Sequence, residues 1–135
     1  MSLSNTAETA ILNQIFVGTA TSWNANTELF IALYESDPGE AGSATTGETT
    51  YGGYARAAVT RATGFTVAGN SISNASTVTF ITSTSATSNL TYAAIVTSTA
   101  GAGTIIVRAA LDNAIPTTVG VQPQFAAGAL SFTID

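Results

Sequence analysis

Leu90-Thr91-Tyr92-Ala93-Ala94-Ile95-Val96-Thr97-Ser98-Thr99, then Ala100-Gly101-Ala102-Gly103, then Thr104-Ile105-Ile106-Val107-Arg108-Ala109-Ala110-Leu111 is the stretch that decides the fold. The first run is apolar and rich in β-branched residues, which suits a core strand. The glycine-bearing tetrapeptide turns the chain, and the third run returns as a second strand, so the whole reads as an antiparallel hairpin. Downstream, residues 112–116 read as a turn and Val119-Gly120-Val121 as a short strand, and Leu130, Phe132 and Ile134 alternate as the last strand. Upstream, residues 83–89 form a polar loop, Val78 and Phe80 alternate, and Phe65, Val67 and Ile72 flank the turn Ala68-Gly69-Asn70. Tyr54-Ala55-Arg56-Ala57-Ala58-Val59-Thr60-Arg61 reads as a strand with Tyr54, Arg56, Ala58 and Thr60 on one side. In Glu28-Leu29-Phe30-Ile31-Ala32-Leu33-Tyr34-Glu35 both faces are apolar, the pattern of a well-covered strand. About eight strands at turn spacings of ~8–12 residues make the fold all-β, a jelly-roll-like β-sandwich, in a single domain over residues 1–135. Its core is expected to hold Leu29, Ile31, Leu33, Ile95, Val107, Leu130 and Phe132.

One segment breaks the β pattern. Over residues 6–16, Ala7, Ile11, Leu12, Ile15 and Phe16 recur at helical spacing and form one stripe. Asn5 reads as the N-cap, Glu8 as its partner in a variant capping box, and Gly18 as the stop. So short a helix needs a surface to lie on. Ile11 and Ile15 pack either on the edge of their own core or on another subunit. No second helical pattern interleaves with the strands, so a parallel βαβ architecture is excluded.

Composition removes most chemistry. Only 8% of residues are charged, eight acids against three arginines, for a net charge of −5, and there is no Lys, His or Cys. A Ser-His-Asp triad, a cysteine nucleophile, the usual zinc sites, a P-loop and Schiff-base chemistry are thereby excluded. Three cations cannot neutralise a run of phosphates, so no nucleic-acid partner is expected. No apolar run approaches the ~20 residues of a membrane span, and the N-terminus lacks the basic start and apolar core of a signal peptide. The expected place of synthesis is the cytoplasm, with no cofactor and no metal. What remains is 24 Thr, 24 Ala and 13 Ser, a surface wetted by hydroxyls or covered by partners.

The remaining polar groups read as structural. Glu35, Asp37, Glu40 and Glu48 lie in or near the long Gly-Thr-rich loop of residues 40–53, too loosely held for a glycosidase pair whose carboxyls must sit ~5 Å apart. They read as solvated loop acids, and Asp37-Pro38-Gly39-Glu40 does not match an EF-hand loop. The loop itself lacks apolar anchors and is expected to be mobile until a neighbouring subunit orders it. Arg56 and Arg61, five apart, point to opposite faces and, with Arg108, are expected to serve structural ion pairs, either inside the domain or across a subunit contact. Asn74-Ala75-Ser76 and Asn89-Leu90-Thr91 match a glycosylation pattern by chance. In Tyr51-Gly52-Gly53-Tyr54 the glycines permit positive φ, and either the tyrosines offer rigid contact area or Tyr54 is core and Tyr51 covers the strand edge.

The order of segments carries a resemblance. Leu3-Ser4-x-x-Ala7 opens the chain, and Phe30-Ile31-Ala32-Leu33-Tyr34 leads into Ser36-Asp37-Pro38-Gly39-x-Ala41-Gly42. Glu48-x-x-Tyr51-Gly52-Gly53-Tyr54-Ala55-Arg56 follows, and Phe125-Ala126-Ala127-Gly128-Ala129-Leu130-x-Phe132 closes it. Over nearly its whole length the chain resembles small virion structural proteins of tailed bacteriophages, labelled tail fibre or minor structural proteins, some of them capsid decoration (cement) proteins. That resemblance implies a non-enzymatic virion protein on the capsid surface. It implies a homo-oligomer, a trimer, bound to the major capsid protein lattice. The alternative is a tail or fibre module bound to tail proteins and a host surface ligand. Tyr51, Gly52, Gly53, Tyr54, Arg56, Ile11 and Ile15 are the candidate subunit or partner contacts.

Overall fold

A computed structural model describes residues 2–41 and 43–134; Met1, Gly42 and Asp135, and with them one glycine of the family pattern and one of the acids, lie outside the described residues. The chain runs β1 (Ser2–Leu3), α1 (Asn5–Phe16), β2 (Glu28–Tyr34), β3 (Ala57–Thr60), β4 (Phe65–Ala68), β5 (Ser71–Asn74), β6 (Val78–Thr79), β7 (Leu90–Val96), β8 (Ile105–Ile115), β9 (Gln124–Phe125) and β10 (Ser131–Thr133). All pairings are antiparallel. The β7–β8 hairpin is the centre of the main sheet, ordered β1-β8-β7-β2-β3, with β10-β5-β4 and β6-β9 as smaller sheets.

The main core forms where the small sheets face the large one. Ile31, Leu33, Ile95 and Val107 project from one face of the large sheet onto Val78, Phe125, Leu130 and Phe132. The opposite face carries Ala32, Tyr34, Ala94, Val96 and Ile105, and Ala44 of the long loop covers it. The architecture is all-β and sandwich-like with one N-terminal helix. Of the expected core only Leu29, near the start of β2, is half-buried; the other six side chains are buried. The β4–β5 hairpin turns on two residues, with Gly69 at φ +61°, a conformation that a side chain would resist.

Several expectations need correction. The N-cap is Ser4, whose Oγ accepts the Ala7 N–H at 3.1 Å and donates to the Ile105 carbonyl; Asn5 is already helical. Ser4 prevails because its buried hydroxyl ties the helix to β8 as well as capping it. β8 does not stop at Leu111 but continues to Ile115, with a bulge where Leu90 pairs Ile115 and Tyr92 pairs Ala110. No strand forms at Val119; the pairing partner of β6 is Gln124–Phe125 instead. Residues 54–56 are not strand, because Tyr54 and Arg56 turn their side chains to the loop of residues 40–53.

That loop is the largest correction, for its own domain packs it. Ala44, Thr49 and Tyr51 are buried. β3 pairs with β2 only as far as Ile31, and beyond it the loop takes over the edge. Thr49 N–H donates to the Leu33 carbonyl at 3.0 Å, and Glu35 N–H donates to the Gly47 carbonyl at 2.9 Å. Between them the Leu33 N–H donates to the Tyr54 hydroxyl at 3.0 Å, where a neighbouring strand would have placed a carbonyl. A segment with few apolar anchors, Ala44 and Tyr51 among them, is thus held also by backbone bonds it supplies to an unfinished sheet edge.

Candidate functional site

The loop, residues 54–56 and the tip of the β7–β8 hairpin converge on Arg56, whose side chain is 2% exposed. Its Nε and Nη2 meet Glu48 Oε1 and Oε2 at 2.7 Å each, a bidentate pair. Nη1 donates to the Ser98 carbonyl and hydroxyl, both at 2.9 Å, and Nη2 to the Gly101 carbonyl at 2.8 Å and the Ala44 carbonyl at 3.3 Å. Every donor group of this buried guanidinium is used, which is what burying it requires. Glu48, expected to be a solvated loop acid, is the partner that makes the burial possible. Its bond with Arg56 holds the guanidinium above its ordinary pKa, against the opposing effect of burial.

Tyrosine hydroxyls close the same cluster. Tyr54 Oη donates to Glu48 Oε1 at 2.9 Å, and Tyr34 Oη donates to the Ala44 carbonyl at 2.9 Å. Burial pushes the Tyr34 hydroxyl far above the usual tyrosine range; the Glu48 charge adds to this and Arg56 opposes it. Burial does the same to Tyr54, where the Leu33 N–H opposes and Glu48 adds, and raises Tyr51 more modestly. Tyr51 Oη reaches the Ile81 carbonyl at 2.9 Å, and its ring meets Tyr54 edge-on at 5.3 Å.

The candidate contact residues therefore divide. Tyr51 and Arg56 are buried inside the chain, and Tyr54 and Gly52 are half-buried. Gly53 is exposed at φ +88°, a true left-handed position. Gly52 serves close approach instead: an added Cβ would lie 2.8 Å from the Ser85 backbone nitrogen. On α1, Ala7 is buried and Ile11 half-buried, but Leu12, Ile15, Phe16 and Val17 are 55%, 66%, 77% and 69% exposed. Only the first turns of the helix lean on β8, so the stripe leaves its own core as it proceeds.

The other cations are also engaged. Arg108 meets Asp37 Oδ1 at 2.7 Å and Glu40 at 3.8 Å. Among the described residues Arg61 forms no such ion pair; its Nη1 donates to the carbonyls of Trp23 and Asn24 at 2.9 Å. Sequence reasoning missed Asn74, whose Nδ2 donates to the Ser76 and Ala126 carbonyls while its Oδ1 accepts the Leu130 N–H. The residue is 2% exposed, so its glycosylation pattern is sterically closed, and nothing in the local sequence separates such an amide from a surface one.

No curated protein matches the chain. The family model described as podophage GP4 fiber I protein gp80 matches residues 2–133. That span takes in the helix, the hairpin, the Arg56 cluster and the closing strand, and with them every segment that carries the resemblance to small tailed-phage virion proteins. The chain belongs to the podophage GP4 fiber I protein gp80 family.

Proposed function

We propose that this protein is a non-enzymatic structural subunit of a phage particle that works by attachment, as a homo-oligomer seated on larger virion proteins. The observation that carries the reading is the exposed apolar end of α1. Four large side chains, Leu12, Ile15, Phe16 and Val17, stand in solvent within one short stretch of chain. Such a patch favours a protein contact. The polar clusters, by contrast, are spent on holding the chain together: Glu48 on Arg56, Asp37 on Arg108, and Glu35 on the Thr49 hydroxyl at 2.8 Å.

Two seats fit this behaviour. The family description favours a fibre or tail position, from which the protein would meet tail proteins and a host surface ligand. Sparse charge and abundant hydroxyls favour capsid decoration, in which a trimer binds the major capsid protein lattice and stabilises it by mass action, ~2.7 kcal/mol per site at a hundredfold excess over Kd. Counting copies per particle and deleting the protein separates the two. A few dozen copies or fewer, with adsorption lost and shell melting unchanged, supports the fibre seat. Hundreds of copies, with a lower shell melting temperature, support the capsid seat. Absence of the protein from purified particles would overturn both.

A further inference from the structure

A cavity of about 390 Å³ opens between β8 and β10, away from both the helix patch and the Arg56 cluster. Its floor is the main core itself: Ala93, Ala109, Leu130 and Phe132 line it, the first two small enough to leave the space unfilled. Its two long walls are strands at or near sheet edges. β10 ends its sheet, and β8 is covered on its outer side by β1 only opposite Val107 and Arg108 among the described residues.

Hydrogen bonding on the β8 wall follows from the register. In an antiparallel ladder the pairs alternate between bonded and non-bonded. Leu33 spends its N–H on Tyr54 and its carbonyl on Thr49, both away from β7. Ala32 and Tyr34 are therefore the residues of β2 that bond to β7, through Ala94 and Tyr92. Ala93 then bonds across to Ala109, and Ala110 turns its N–H and carbonyl outward, past the reach of β1. One step on, the bulge carries exposed Asp112 to the cavity mouth. No hydrogen bond or ion pair engages its carboxylate among the described residues.

We infer that the slot between β8 and β10 receives a short extended segment of a different virion protein. The segment pairs with the backbone of Ala110, sets an apolar side chain on Leu130 and Phe132, and brings a basic residue to Asp112. The outward amide and carbonyl of Ala110 select a polypeptide in extended form, because strand addition is what completes such an edge. Charge selects against a second copy. Arg56 and Arg108 are ion-paired, Arg61 is bound to carbonyls beside β3 at the opposite edge of the sheet, and there is no Lys. A second copy therefore holds no uncommitted side-chain cation among its described residues to bring to Asp112.

The probe is the blocked peptide acetyl-Lys-Val-Thr-Leu-Thr-Val-Lys-amide, titrated into the isotope-labelled full chain, with anisotropy and backbone amide exchange as readouts. Saturable binding is expected, with exchange at the Ala110 amide slowed at least ~tenfold. Ala110→Pro deletes an N–H that no described strand of the chain uses, so it should fold and lose the peptide. Asp112→Lys, an exposed change, should weaken the same peptide at least ~tenfold and strengthen a version ending in Glu. No saturation by about 1 mM peptide would overturn the inference, as would binding indifferent to both substitutions. A dimer in sedimentation that Ala110→Pro dissolves would overturn the choice of a foreign partner.

Discussion

The Arg56 cluster and the far end of α1 are opposite solutions to one shortage. Around Arg56 the chain gathers a guanidinium, a carboxylate, two tyrosine hydroxyls and three backbone carbonyls, and pairs them inside. At the end of α1 it leaves Ile15 and Phe16 bare, with no acid or base beside them in sequence between Glu8 and Glu28. A protein with three cations can concentrate them where the fold needs tying, or spread them where solubility needs help. This one concentrates two of the three in buried or half-buried ion pairs, and its outer surface is left to hydroxyls, acids and apolar side chains. The scarce cations thus go to locking the interior, and the exterior is left apolar at the end of α1.

The largest effect should come from unlocking the interior. Arg56→Ala leaves Glu48 and three segments of chain without their common partner and should cost about 3–5 kcal/mol in denaturant unfolding. Glu48→Ala with Arg56→Ala should cost less than the two single changes added together, since one unpaired charge is worse than none. Additive losses would mean that the pair does not organise the loop. Leu33→Ala empties a site with 0% exposure at the join of β2 and the loop and should cost ~2–5 kcal/mol. Its cost should match that of Arg56→Ala only if the loop and core unfold together.

How much of this was legible in the sequence depends on what kind of bond does the work. The β7–β8 hairpin, β2 and the closing strand were readable because their side chains alternate or cluster by hydrophobicity, and Ile31, Ile95 and Phe132 are core for that reason. The loop of residues 40–53 was not, because apart from Ala44, Tyr51 and the Glu48–Arg56 pair it is held by backbone bonds to Leu33 and Glu35, and a backbone bond leaves no composition signal. Arg56 looked like a strand residue and Glu48 like a solvated acid; only their separation of eight residues and the scarcity of cations hinted that they would pair. Ser4 displaced Asn5 as the cap because a contact with Ile105, 101 residues away, decided between two good capping residues. The helix stripe was correctly seen as apolar, yet periodicity alone does not say whose core it faces.

A smaller effect tests the locked region through pH. Tyr34, Tyr51 and Tyr54 all hold their protons in the folded chain above the usual tyrosine pKa of about 10, burial being the first cause in each. Unfolded, they ionise near that value. The folded state therefore binds more protons once the pH exceeds about 10, and stability, fully present below it, falls as the pH rises. Each such tyrosine contributes up to ~1.4 kcal/mol per pH unit in that window. Urea midpoints measured from pH 8 to 11.5 should show this fall, and Tyr54→Phe should reduce its slope by one proton. An unchanged slope would mean that the Tyr54 hydroxyl is solvated, and the edge it closes is open.

The smallest effect on stability should accompany the largest effect on assembly. Ile15→Ser and Phe16→Ser change side chains that are 66% and 77% exposed, outside the Ser4 cap and the contacts of the first turns with β8. Each should shift unfolding by no more than about 0.5 kcal/mol, the range of surface substitutions. Attachment should behave in the opposite way, because burying each of these side chains against a partner is worth ~1.5–3 kcal/mol. Particles assembled with the double variant should shed the protein on dilution, and raising the salt should not mimic that loss, since an apolar contact is not screened. If the variant stays bound while unfolding much more readily, the helix end packs on something within its own oligomer, and the contrast between a locked interior and a bare exterior breaks at that point. If it stays bound and stable, attachment uses another surface, and the slot beside Ala110 becomes the first place to test.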